Sequence, residues 1–211
     1  MVATNQTFGR GRAGRRWQSL IGNLFCSFGL TPSVSTMRLS ELSFVIVVAL
    51  QAAMTTVLRK GTEAKIKWPN DILINDAKIS GILLEVVNVR ERVHPAVIIG
   101  VGVNIVSCPQ SLDRPSTCLQ ELGYRGNAQS FLEILADEFF RSVADWERDG
   151  FMPIRQAWLD HAVGLGEEIG IRSGNDKQQG VFEALDRTGA LLLRLPDGSL
   201  RTITAGDIFL G

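Results

Sequence analysis

The stretch AKIKWPNDILINDAKISGILL, residues 64–84, decides how this 211-residue chain is read. Its apolar residues fall in short runs rich in isoleucine, not at helical spacing. The pattern predicts strands at Ala64–Trp68 and Ile72–Ile74, continued by Ile79–Val89 and Ala96–Val106. Asn75-Asp76 predicts a tight turn between two of them, because both residue types tolerate left-handed backbone. Pro69 cannot donate to a ladder, so Lys67-Trp68-Pro69-Asn70-Asp71 marks a strand break, a common place for ligand contacts. Lys67 and Asp71 bring opposite charges to that break, and Asn70 adds an amide that both donates and accepts. A hairpin over Asn75-Asp76 returns Lys78 towards the same place, and at Gly81 a ligand has room to approach the strand. Lys78 is thus a candidate to bind a carboxylate or to neutralise charge during acyl transfer to phosphate. Taken singly, each residue also has a bland reading: Asp71 as a turn cap, Lys78 as a solvated side chain.

Outward from this stretch, Leu24, Cys26, Phe28 and Leu30 alternate with Asn23, Ser27 and Gly29, which predicts a strand. Ser40 is a plausible N-cap for a helix to about Lys60, with Gly61 as its stop. Further helices are expected at Ser130–Trp146 and Ile154–His161. Gly100-Val101-Gly102-Val103-Asn104 ends an apolar strand. Two glycines there suggest close approach of a ring or backbone, and Asn104 could read an adenine edge or simply serve a turn. After His161 come short β-like runs at Glu168–Arg172, Gly180–Leu185, Ala190–Leu195, Leu200–Thr204 and Asp207–Leu210, separated by turn residues. They predict a small SH3-like barrel, hence domains at 1–162 and 163–211.

Lys and Arg number 22 and so do Asp and Glu, and this balance excludes a histone-like coat for polyanions. The balance is uneven along the chain. Residues 1–60 carry seven basic side chains and one acid, Glu41, a net +6. Four of the seven, Arg10, Arg12, Arg15 and Arg16, sit in one glycine-rich segment. Residues 9–14 match G-x-G-x-x-G, but no hydrophobic strand precedes them and no amphipathic helix follows, so a dinucleotide fold fails on context. What remains is a flexible cationic loop for a phosphate or carboxylate ligand, or an arm binding nucleic acid by charge; this segment alone leaves both open. Three cysteines without a C-x-x-C pair predict reduced thiols in a cytoplasmic protein. The longest apolar run, Phe44–Leu50, is too short for a membrane span. His94 and His161 have no partner in view.

Taken together, three segments resemble the biotin protein ligases. Gln6-Thr7-Phe8-Gly9-Arg10-Gly11-Arg12-Ala13-Gly14-Arg15-Arg16-Trp17 looks like the family's Q-T-x-G-R-G-R-x-G-R-x-W loop. Lys67–Asp71 with Lys78-Ile79-Ser80-Gly81-Ile82-Leu83 is similar to its K-W-P-N-D…K-x-x-G-I-L signature, and Gly100–Asn104 to its G-x-G-x-N strand. The resemblance implies an α+β fold: a mixed β-sheet with flanking helices, of the biotin–lipoate ligase and class II aminoacyl-tRNA-synthetase type, followed by the SH3-like barrel. It also implies a reaction in which biotin and Mg-ATP give biotinyl-5′-AMP. The acyl group then passes to a lysine of a biotin carboxyl-carrier domain.

By motif position, Gln6, Arg10, Gly11, Arg12, Lys78 and Gly81 would contact biotin. Arg12, Arg15, Trp17, Asn70 and Asn104 would line ATP or the adenylate. Lys78, Arg12 and Asp71 would carry catalysis, with Mg2+ on the ATP phosphates near Asp71. No nucleic-acid or membrane partner is implied, and a homodimer is compatible with the family. The related alternatives are a lipoate or octanoate ligase and a non-catalytic adenylate-binding relative. In the family a strand, a helix and an S-T-N-type motif precede the arginine loop, whereas Met1 stands five residues before Gln6. About 30–40 residues of the family pattern are therefore expected upstream of Met1. The family's winged-helix DNA-binding domain has no counterpart in these residues, so a repressor role is not expected.

Overall fold

Strict alternation along one strand organises the larger sheet. In Ala96–Val103, Val97, Ile99, Val101 and Val103 are buried, while Ile98, Gly100 and Gly102 face the opposite side. A computed structural model describes residues 1–87, 95–110, 115–173 and 176–210. The larger sheet contains β1 (Val2–Ala3), β2 (Leu24–Leu30), β3 (Ala64–Lys67), β4 (Asp71–Ile74), β5 (Ala77–Val87) and β6 (Ala96–Val103), in the order β1-β2-β6-β5-β4-β3. Helices α1 (Leu42–Val57) and α2 (Ala128–Asp149) pack on its buried face, and α3 (Phe151–Asp160) packs against both helices. The α1 helix is apolar nearly all round because it lies among the sheet, α2 and α3. With its lead-in turn it is long and apolar enough to cross a membrane, but much of that stretch is buried in this core.

Among the described residues every ladder is antiparallel, and parallel pairing is confined to isolated bridges such as Lys78 with Ser116. The expected mixed sheet is thus an antiparallel one. Its adjacent β3, β4 and β5 are joined by turns too short for a crossover. At the predicted turn, Asn75 and Asp76 have φ of 50° and 61°. The predicted strands at 64–68 and 96–106 end earlier, at Lys67 and Val103. Beyond Val103, Asn23 Oδ1 accepts from the N–H groups of Ile105, Val106 and Ser107, which replaces the ladder. Residues 88–89 of the third predicted strand, His94 and the 174–175 turn lie outside the described residues.

The first helix differs from expectation at both ends. Ser35, not Ser40, caps a 3-10 turn over Thr36–Glu41, and the helix stops at Val57, before the Gly61 turn. The second starts at Ala128 because Asn127 and Ser130 form a reciprocal capping box. The third runs Phe151–Asp160.

The C-terminal strands are β7 (Glu168–Ser173), β8 (Asp176–Leu185), β9 (Leu191–Arg194), β10 (Leu200–Ile203) and β11 (Asp207–Leu210). They form one antiparallel sheet ordered β10-β9-β8-β7-β11, the succession of an SH3-like barrel, and β8 begins four residues earlier than expected. This sheet is sewn to the rest. Trp68 is 3% exposed and its Nε1 donates to Gly189 O at 3.2 Å. Gly189 in turn lies so close to the Phe44 ring that a Cβ would collide with it. Arg155 Nε donates to Leu185 O at 2.9 Å, and Val163 N to Ile66 O at 2.9 Å.

The tryptophan of the K-W-P-N-D segment is therefore a structural pin. Trp68→Phe keeps the ring but leaves the Gly189 carbonyl unpaired. It is expected to lower stability by about 1–3 kcal/mol, read as a lower urea midpoint with unchanged slope.

Candidate functional site

Ladder register brings the separate motifs into one line. Phe25 of β2 pairs with Gly102 of β6, Gly102 with Gly81 of β5, Gly81 with Asp71 of β4, and Asp71 with Lys67 of β3. Directly opposed residues share a face, so this row crosses the sheet on the side away from the helices. Lys78 lies three residues before Gly81 and would face the other way in a regular strand. A register shift cures this: Ile72 pairs with Ser80 but Leu73 with Lys78, which leaves Ile79 as the extra residue of a bulge. Lys78 Nζ then reaches Asp71 Oδ2 at 2.6 Å.

The two glycines of the row are occupied from above by Trp17. A Cβ on Gly81 would lie 2.8 Å from Trp17 Cζ3, and one on Gly102 would lie 2.6 Å from Cε2. The indole therefore rests on bare backbone, with Lys78 Nζ 5.9 Å from the ring. Trp17 Nε1 is buried without a hydrogen-bond acceptor among the described residues.

Trp17 closes the arginine segment as a hairpin. Trp17 N donates to Gly9 O at 2.9 Å and Gly11 N to Arg15 O at 2.7 Å. Left-handed Ala13 (φ 54°) and Gly14 (φ 71°) make the turn. Three of its arginines are tied to different elements. Arg10 reaches Glu85 of β5 at 3.0 Å, and Arg12 Nη1 donates to Asn70 Oδ1 at 3.3 Å. Arg15 makes a bidentate pair with Asp207 of β11 at 2.9 and 3.1 Å. Arg16 has no side-chain partner among the described residues. Burial pushes the Arg12 pKa down, Asp207 and Asp71 oppose this, and nearby Arg15 adds to it.

A cavity of about 710 Å3 is bounded by this hairpin, the glycine row and the C-terminal sheet. All eleven candidates read from the sequence line it: Gln6, Arg10, Gly11, Arg12, Arg15, Trp17, Asn70, Asp71, Lys78, Gly81 and Asn104. Gln6 Oε1 accepts from Ser19 Oγ at 3.0 Å. Asn104, 3% exposed, donates through Nδ2 to Thr117 O at 3.1 Å, so it also fastens the segment that follows β6. Cys26 lines the cavity as well, but burial pushes its thiol up to about 12. It is protonated at neutral pH and offers no nucleophile.

Sequence reasoning missed Glu85 and Asp207. Asp207 lies 192 residues from Arg15, in a run read only as a strand, and nothing local signals the contact.

Seven basic side chains line the cavity against three carboxylates, Asp71, Glu85 and Asp207. The Lys78–Asp71 and Arg15–Asp207 pairs are partly exposed, so each is worth about 1 kcal/mol or less. Ligand oxygens can therefore take over these cations at small cost. Among the described residues, no group of three or more His, Cys, Asp or Glu side chains could cage a metal.

If Trp17 seats the hairpin, Gly102→Ala should raise trypsin cleavage within residues 10–16 several-fold while costing less than about 1 kcal/mol of global stability. Unchanged cleavage would show that the hairpin is held by other contacts.

Comparison with known proteins points the same way. Residues 1–104 match the biotin/lipoate A/B protein ligase family, and residues 164–211 match the biotin protein ligase C-terminal domain. The biotin–[acetyl-CoA-carboxylase] ligase of Paracoccus denitrificans is 38% identical over the whole chain, which covers 90% of that protein. The bifunctional ligase/repressor BirA of Bacillus subtilis is 33% identical, again over the whole chain, which spans 66% of its length. Among solved structures, the Aquifex aeolicus biotin protein ligase in complex with biotin and ATP superposes with a TM-score of 0.83. It is 26% identical, over 99% of this chain and 86% of that one. By whole-chain similarity and by the site it assembles, this chain belongs to the biotin protein ligase family.

Proposed function

We propose that the chain is a biotin–[biotin carboxyl-carrier protein] ligase. The observation that carries this reading is the cavity itself, where a cationic hairpin faces a glycine row and Lys78 stands at one end of it. A surplus of cations in one partly enclosed space suits a triphosphate and a carboxylate bound together. The flat ring seated on the bare backbone of Gly81 and Gly102 is the Trp17 indole, which fixes the hairpin beside the ligand space.

In the first step a biotin carboxylate oxygen attacks the α-phosphorus of ATP. The bond to the bridging oxygen breaks, and pyrophosphate leaves. Lys78 exchanges Asp71 for the biotin carboxylate and stabilises the charge that develops as oxygen bonds to phosphorus. Arg12 and Arg15 bind phosphate oxygens, and the hairpin shields the acyl-adenylate from water. Asn70 positions Arg12 by accepting its N–H while its own amide donates to Ile82 O. In the second step the neutral amine of a carrier lysine attacks the acyl carbon, forming an amide and releasing AMP and a proton.

Magnesium would neutralise charge on the ATP phosphates. A phosphate-borne magnesium needs only one or two protein carboxylates. Asp71 is the residue that would hold it, once Lys78 has turned to the substrate. Three free, buried cysteines support a cytoplasmic setting.

Biotin-dependent exchange of pyrophosphate into ATP tests the reading. Lys78→Ala and Arg12→Ala are each expected to lower it about 100-fold or more, with little change in urea midpoint. Exchange driven by lipoate or octanoate rather than biotin would overturn the substrate assignment. Normal exchange in either variant would overturn that residue's role.

A further inference from the structure

On the sheet face that lines the cavity, a second row of residues lies beside the one under Trp17. Ser27 of β2 stands opposite Gly100 of β6, and Gly100 opposite Leu83 of β5. Each is two residues along its strand from Phe25, Gly102 or Gly81, so the row shares their face at a spacing of about 7 Å. All three residues line the cavity. The two rows differ in what lies above them. Gly81 and Gly102 are covered by the indole, whereas a Cβ on Gly100 would have only Leu83 O, at 3.6 Å, within contact distance among the described residues. The backbone at Gly100 is therefore bare and open to the cavity.

Ser27 flanks this opening. It is half-buried, and its hydroxyl has no hydrogen-bond partner among the described residues. Its backbone is fixed: Ser27 N donates to Met1 O at 2.8 Å, and the ladder to β6 holds the strand on its other side. The hydroxyl thus projects from a rigid strand with its donor and acceptor capacity left for a ligand. Trp17 separates this place from Asn104, since Gly100 and Asn104 lie two residues from Gly102 in opposite directions. Lys78 Nζ, on Asp71, stands at the Gly81 row. A carboxylate held there, with its aliphatic tail laid along β5 towards Leu83, brings the far end of the molecule over Gly100.

We propose that Ser27 determines specificity for the acid: its hydroxyl hydrogen-bonds the ureido ring of biotin, which lies on the bare backbone of Gly100. The proposal rests on the ligase reading above and deepens it by naming what separates biotin from a plain aliphatic acid. A cyclic urea carries N–H donors and a carbonyl acceptor, and a hydroxyl pairs with either. An octanoyl chain reaching the same place offers neither and leaves the hydroxyl without a partner. A planar ring also fits a floor that carries no side chain.

Calorimetric binding to the whole chain, with biotin and desthiobiotin as probes, tests this. Ser27→Ala is expected to weaken biotin about tenfold, the worth of one hydrogen bond. Desthiobiotin keeps the urea but lacks the sulfur ring, so it should weaken by the same factor. Ser27→Thr, which retains the hydroxyl, should bind biotin within about threefold of the parent. In pyrophosphate exchange the alanine variant should raise KM for biotin, with kcat and KM for ATP unchanged. Gly100→Val fills the open space with a residue suited to a strand and should abolish biotin binding without lowering the urea midpoint. Parent-like biotin affinity in Ser27→Ala or in Gly100→Val overturns the proposal. So does a threonine variant as weak as the alanine one, an undiminished desthiobiotin affinity, or a rise in KM for ATP instead. A parent chain that binds biotin without catalysing exchange sinks the ligase reading and leaves the binding comparison to decide on Ser27. A parent that binds no biotin overturns both.

Discussion

Bare backbone at Gly81 and Gly102 is the constraint on which the rest of the site depends. The two residues face each other across β5 and β6, and no side chain could be added to either without striking Trp17. With the indole seated there, the chain on its N-terminal side folds back as a hairpin above the sheet. Its arginines then project towards β5, the β3–β4 junction and the C-terminal sheet. Removing the flat floor would leave the charges without a common geometry.

Around that fixed floor, the charges are held loosely. The ion pairs of Arg10, Arg15 and Lys78 are all partly exposed and individually weak. The junction below them is different in kind: Trp68, Phe44 and Trp158 are buried with the C-terminal sheet against them. A rigid apolar joint with exchangeable polar contacts above it suits a reaction that must bind two substrates, close over an intermediate and then admit a third.

Much of the site was legible because its chemistry sits in short segments. Lys67–Asp71, Lys78, Gly81 and the Gly100–Asn104 run announce themselves by residue type, and the Asn75-Asp76 turn brings two of them together. Other features were not legible, because their causes lie far along the chain. The bulge at Ile79, which turns Lys78 and Gly81 to one face, is a property of pairing between β4 and β5. Trp68 reads as part of a ligand motif, yet its N–H is satisfied by a carbonyl 121 residues away.

Sequence by itself determined which elements form and which residue types carry the chemistry. Alternation, turn residues and the glycine-arginine spacing are local properties, and local physics suffices to read them. Tertiary structure alone decided that the sheet is antiparallel, that the arginine segment is a hairpin seated on two glycines, and that Asp207 reaches Arg15 from the last strand. The reason is that ladder register and packing are set by the sum of long-range contacts. No single segment encodes a partner nearly two hundred residues away.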